Sequence, residues 1–161
     1  MKSACFTGHR NLCCNIPDLK DDMYNKIERA IVNGGIVDYY AGGAIGFDTL
    51  AAEIVLILRR KYPNISLNLV LPCSTKEQTI SWGDNYKQVY YNIIDQANNV
   101  EFVSPKYYNG CMKARNIRLV ELADFCYCFY DPKQYKSGTA QTVRFAQNKH
   151  IPIWNFFHIV T

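Results

Sequence analysis

Short apolar runs rich in β-branched and aromatic residues alternate with longer stretches of helical periodicity along the whole chain. This alternation restricts the fold more than any other feature of the sequence. Ser3 to Thr7 reads as a first strand ending at Gly8. Leu19 to Asn33 has helical spacing, with Leu19, Met23, Ile27, Ala30 and Ile31 on one stripe, and stops at Gly34-Gly35. Ile36 to Tyr40 is a second strand, and Phe47 to Lys61 a helix that Pro63 terminates. Leu67 to Leu71 is a third strand. Ser74 to Glu77 has capping-box spacing and predicts a helix to about Ala97, with a possible break at Gly83. Val100 to Val103, Phe125 to Tyr130 and Ile151 to Trp154 are further strands, separated by helices over 112–123 and 138–149.

Six β units interleaved with five helices imply an α/β fold of Rossmann-like type: a mostly parallel sheet with helices on both faces. The 161 residues suit a single domain over 1–161, with no linker or internal repeat. No apolar run reaches the ~18 residues of a membrane span, and the N-terminus has no signal-peptide pattern, so a cytoplasmic protein is expected. The seven cysteines form no C-x-x-C pair and have no histidine at ligand spacing. They read as reduced, small hydrophobic residues, and neither a metal nor another cofactor is implied. The formal charge of +4 permits an anionic ligand but supplies no dense basic stripe, which argues against nucleic acid.

Ligands of such sheets bind beyond the carboxyl ends of the strands. The segments there are Thr7-Gly8-His9-Arg10, the run Gly42-Gly43-Ala44-Ile45-Gly46-Phe47-Asp48, and Asp131 followed by Ser137-Gly138-Thr139. Glycines allow close backbone approach to an anion, and N–H groups at a helix start point at it with the positive end of the dipole. Arg10 adds a bidentate fork, and Thr7 and Thr139 add hydroxyl donors. His9 is either a proton carrier or a turn residue. Asp48 suits the first turn of a helix for dipole reasons, or it binds a ribose hydroxyl. Asp131 suits sugar contact or capping. Gln78, Trp82 and Tyr86, spaced i, i+4, i+8, are expected on one helix face, where Trp82 would stack a base or pack as a lid. No Walker loop is present, and the glycine run departs from the dinucleotide fingerprint.

The run from Tyr40 to Ala52 resembles the G-G-A-x-G-x-D-x-x-A-A stretch of YpsA-like proteins of the SLOG superfamily, which also holds the Lonely-Guy (LOG) enzymes and DprA. Phe6 to Arg10 is similar to the opening T-G-x-R of that family. Gln78, Trp82 and Tyr86 match its Q…W…Y element, and Tyr130-Asp131 with Ser137-Gly138-Thr139 its Y-D…G-G-T element. Met112 to Asn116 with Ala123-Asp124 is similar to the LOG pattern M-x-x-R-K…A-D. The resemblance implies a domain that senses or sequesters a nucleotide or nucleotide-derived small molecule, with a homodimer as a plausible assembly. It leaves two alternatives, a LOG-like phosphoribohydrolase and a DprA-like binder of single-stranded DNA. In the LOG enzymes an Arg and a Glu serve N-glycosidic cleavage. That Arg maps onto Arg115, which could otherwise be a solvated helix charge. The Glu position holds Thr142, a departure that argues against the hydrolase. Asp48, Asp84 or Asp131 would have to replace the missing carboxylate.

Overall fold

Alternation along each strand sorts side chains onto two faces of one sheet. In β1 (Lys2–Gly8), Ala4 and Phe6 join one apolar cluster while Cys5 joins the other. The same division recurs in β3 (Ser66–Leu71), with Leu67, Leu69 and Leu71 against Val70. In β5 (Phe125–Phe129), Tyr127 and Phe129 oppose Cys126 and Cys128. Strands that are apolar on both faces must be covered on both, and they are. In this computed structural model, which describes residues 2–158, helices α1 (Ile16–Val32), α2 (Phe47–Lys61) and α4 (Asp84–Gln96) bury the first cluster. Helices α5 (Cys111–Glu121) and α6 (Gly138–Asn148) bury the second. Met1 and residues 159–161 of the expected domain lie outside the described residues.

With β2 (Ile36–Ala41), β4 (Asn99–Phe102) and β6 (Ile153–Asn155), the strand order is β4-β3-β2-β1-β5-β6, and every pairing is parallel. The chain winds outward from β1 to β4, then returns to the other side of β1. That reversal falls between β1 and β5, whose register sets Thr7 beside Cys128 and Gly8 beside Phe129. The two strands therefore end level, and the crevice expected at a topological switch point opens above them.

Local signals account for the helix starts. Asn15 accepts from the Asp18 N–H at 3.0 Å, with Pro17 in the first turn of α1. Ser137 accepts from the Ala140 N–H at 3.1 Å ahead of α6. The long helix expected after Ser74 is instead two: α3 (Thr75–Gln78) and α4. Among the described residues the sheet is thus served by six helices rather than five. Ser74 does cap the Glu77 N–H, but the Glu77 carboxylate leaves the helix to accept from the backbone N–H of Tyr107. The chain then turns through residues 79–83, and Gly83 caps α4 in an extended conformation. Gln78, Trp82 and Tyr86 consequently do not share a helix face: the first ends α3, the second lies in the turn, and the third belongs to α4. Of the seven free cysteines five are buried, whereas Cys13 and Cys14 are exposed.

Candidate functional site

A cavity of about 360 Å³ lies over the β1–β5 switch point, within the usual range of ~300–1,000 Å³ for small-molecule sites. The exit of β1 contributes Thr7, Gly8, His9 and Arg10. The turn before α2 contributes Ala44 and Asp48, α5 contributes Met112, Arg115 and Asn116, and the α6 start contributes Ser137, Gly138 and Thr139. Of the residues expected to bind ligand, nine therefore line one cavity, Arg115 among them. Asn11, Asn116 and Gln134 also line the cavity. Asn116 was visible in the sequence as the neighbour of Arg115, whereas the other two sit in loops without a motif.

Arg115 is 7% exposed. Its Nε donates to Asn116 Oδ1 at 2.8 Å, one Nη donates to the Gly42 carbonyl, and the other approaches Met112 Sδ at 3.9 Å. The nearest acid is Asp48, yet no ion pair joins them among the described residues. Burial lowers the Arg115 pKa from its ordinary value, with Asp48 acting in the opposite direction. Burying a guanidinium without a paired carboxylate is costly unless other groups compensate, so an anion in the cavity would complete this environment.

Asp48 is buried in the first turn of α2. Its Oδ2 accepts from the Ala44 N–H at 3.3 Å, and its Oδ1 is buried with no hydrogen-bond partner among the described residues. Burial raises its pKa to about 6, against the opposing pull of Arg115. Gly42 keeps the two charges close, since a Cβ there would lie 2.6 Å from Arg115 Nη1 and 3.0 Å from Asp48 Oδ2. Gly43 turns the other way. At φ 72° it packs on Leu71 and Tyr90, and its carbonyl accepts from Gln78 Nε2 at 3.4 Å. Gly46 caps α2 and packs on the Arg10 backbone.

His9 is buried, and its Nε2 accepts from the Asp131 N–H at 2.9 Å. Burial lowers its pKa, with Asp131 opposing. The Asp131 carboxylate accepts from the Lys133 N–H at 3.0 Å and does not line the cavity. At the α6 start, Ser137 engages Ala140, which leaves the N–H groups of Gly138 and Thr139 ahead of the first helical bond and free to donate. Thr142 is fully buried, and its hydroxyl donates to the Gly138 carbonyl at 3.0 Å. Trp82 and Gly46 line a second cavity, described below.

A parallel sheet with the cavity over the reversal of its strand order defines a Rossmann-like α/β protein. Residues 4–157 match the model of the YspA SLOG family (YpsA), and the chain belongs to that family. It is 28% identical over 145 residues to the SPbeta prophage-derived protein YoqJ of Bacillus subtilis, covering 83% of this chain and 82% of YoqJ. A UPF0398 protein of Staphylococcus epidermidis is 26% identical over 147 residues, or 85% of this chain and 77% of that protein. A UPF0398 protein of Bacillus pumilus is 28% identical over 106 residues, where the match spans 65% of this chain and only 56% of the relative. The X-ray structure of TM1055 shares the fold, with a TM-score of 0.57 and 17% identity over 95% of this chain and 72% of that one. Among the described residues no helix is long and apolar enough to cross a membrane.

Proposed function

We propose that the cavity over the β1–β5 switch point binds the phosphate of a nucleotide or nucleotide-derived small molecule, so that the protein senses or sequesters it. The observation that carries this reading is Arg115, a buried guanidinium that lines the cavity without an ion-pair partner among the described residues. The free N–H groups at the α6 start and the hydroxyls of Thr7 and Thr139 add donors around the same space. A charge-assisted hydrogen bond contributes about 1.5–3 kcal/mol, so three or four of them reach the scale of the ~8 kcal/mol that micromolar binding of a small anion requires.

Thermal unfolding in the presence of AMP, ribose 5-phosphate and inorganic phosphate tests the reading. A ligand at 100 times its Kd should add about 2.7 kcal/mol of stability. Stabilisation of wild type but not of Arg115→Met supports the proposal. No stabilisation by any of the three defeats it.

One observation favours the N-glycosidase alternative. Asp48 lines the cavity with a buried, unpartnered oxygen and a pKa near neutrality, as a general acid or base requires. Of the three carboxylates that could replace the missing Glu, it alone lines the cavity, with Asp84 and Asp131 outside. Thr142 offers nothing to this chemistry, its hydroxyl being turned to the Gly138 carbonyl.

A further inference from the structure

A second cavity of about 260 Å³ shares Arg10 with the first. The walls of the two interleave along the chain. Ala44 and Asp48 face the first, while their immediate successors Ile45 and Thr49 face the second. The cavities therefore lie on either side of the turn that opens α2. Their linings differ in kind. The second is framed by aliphatic residues including Leu12, Ile45 and Val89, and by the rings of Trp82 and Tyr86. Trp82 is held edge-on by Tyr90, with ring centroids 5.1 Å apart at 82°. One acid interrupts this apolar wall. Glu53 is half-buried and has neither a hydrogen bond nor an ion pair among the described residues, although Arg10 lines the same cavity.

We infer that the second cavity seats a planar ring bearing an amine, such as the nucleobase of an adenine or cytosine nucleotide, with Glu53 accepting from the amine and Trp82 packing against the ring. The inference rests on the proposed phosphate site, because Arg10 lines both cavities. An ionised carboxylate is an acceptor only, so it rewards an N–H donor and repels a carbonyl oxygen placed in the same position. Aromatic packing is tolerant of base identity; the carboxylate is what discriminates.

Calorimetric titration with AMP, IMP, CMP, UMP and ribose 5-phosphate separates the two readings. AMP should bind at least about tenfold tighter than IMP, and CMP than UMP, with Glu53→Gln reducing each gap below about threefold. Trp82→Ala should bring AMP affinity down towards that of ribose 5-phosphate while leaving ribose 5-phosphate itself unchanged, and Trp82→Phe should restore most of the loss. In a Trp154→Phe background, which leaves Trp82 as the sole tryptophan, AMP should alter the intrinsic fluorescence and ribose 5-phosphate should not. Equal affinities within each pair, a gap that survives Glu53→Gln, or nucleotides bound no tighter than ribose 5-phosphate would overturn this inference while leaving the phosphate site intact. Failure of all five compounds to bind would overturn both.

Discussion

The backbone N–H of Asp131 donates to Nε2 of His9 at 2.9 Å, tying the residue after the end of β1 to the exit of β5. A histidine that accepts at Nε2 carries its proton on Nδ1 and is neutral, in keeping with the lowered pKa that burial gives it. The imidazole is thus a fastener between the two loops that flank the switch point, and it works only in its uncharged form.

Acidification should loosen this fastener. The folded-state pKa of His9 lies below the ordinary 6.5, so the folded protein holds fewer protons there than the unfolded chain. Its contribution to stability is complete above about 6.5 and declines as pH falls through and below that value. His9→Gln, which can still accept from the Asp131 N–H, should unfold with a shallower loss of Tm between pH 7 and 5 than wild type.

Asp48 has the opposite sign. Its pKa rises from 3.8 to about 6 on folding, so ionising it costs folded-state stability, a cost absent below 3.8 and complete above about 6. At about 1.36 kcal/mol per pKa unit the cost is on the order of 3 kcal/mol, and Asp48→Asn should be more stable than wild type at pH 8 and not at pH 4. Chemical denaturation at the two pH values measures it.

The same proton should be linked to ligand. An anion beside Asp48 favours its neutral form, so sulfate, which does not titrate in this range, should bind more tightly as pH falls from 8 to 6. The gain should approach about tenfold per pH unit for one proton taken up, and it should vanish in Asp48→Asn. A pH-independent sulfate affinity in wild type would contradict the placement of the anion beside Asp48.

The two adjacent glycines should fail differently. Gly42→Ala pushes a methyl group against Arg115 and Asp48, so phosphate binding should weaken by at least about tenfold while the fold survives. Gly43→Ala drives a Cβ into Leu71 at φ 72° and should lower Tm instead, typically by several degrees per kcal/mol lost. Calorimetry and thermal unfolding on both variants distinguish the roles.

Release of adenine or ribose 5-phosphate from AMP should stay at background rather than at an ordinary ~1–10 s⁻¹. The Thr142 hydroxyl is occupied by the Gly138 carbonyl and cannot stabilise a developing oxocarbenium ion. Turnover that disappears in Asp48→Asn would instead establish the N-glycosidase reading.

The sheet was legible because each strand is a short apolar run bounded by turn residues, and the loops at the strand ends followed from the parallel topology. The helix break was signalled at Gly83, but the loss of the helix from residue 79 onward was not. Gln78, Trp82 and Tyr86 have helical spacing, but the turn 79–83 and the reach of Glu77 to Tyr107 end α3 after one turn. Nor was the burial of Asp48 legible, since a carboxylate in a first turn is satisfied by the dipole alone. Only tertiary packing, which brings Arg115 to the Gly42 carbonyl beside this buried acid, leaves it with a neighbouring cation and an unpartnered oxygen. Gly42 and Gly43 look interchangeable in sequence, yet a Cβ on the first would meet Arg115 and Asp48 and on the second Leu71 and Tyr90.

The placement of β1 at the centre of the sheet has a temporal side. Ala4 pairs with Phe125, so the inner flank of β1 stays open on the ribosome until most of the chain has been made. At about 5–20 residues per second, that wait is on the order of ten seconds. During it, β1 to β4 can zip together from neighbours close in sequence, but β1 presents a naked, apolar edge. The cavity is complete only after β5 has docked and the α6 start has followed it, so a ligand can reward completion of folding but cannot chaperone its beginning. A transcript truncated before Phe125 would yield a four-stranded fragment with its most buried strand exposed, an aggregation hazard that the intact protein never shows.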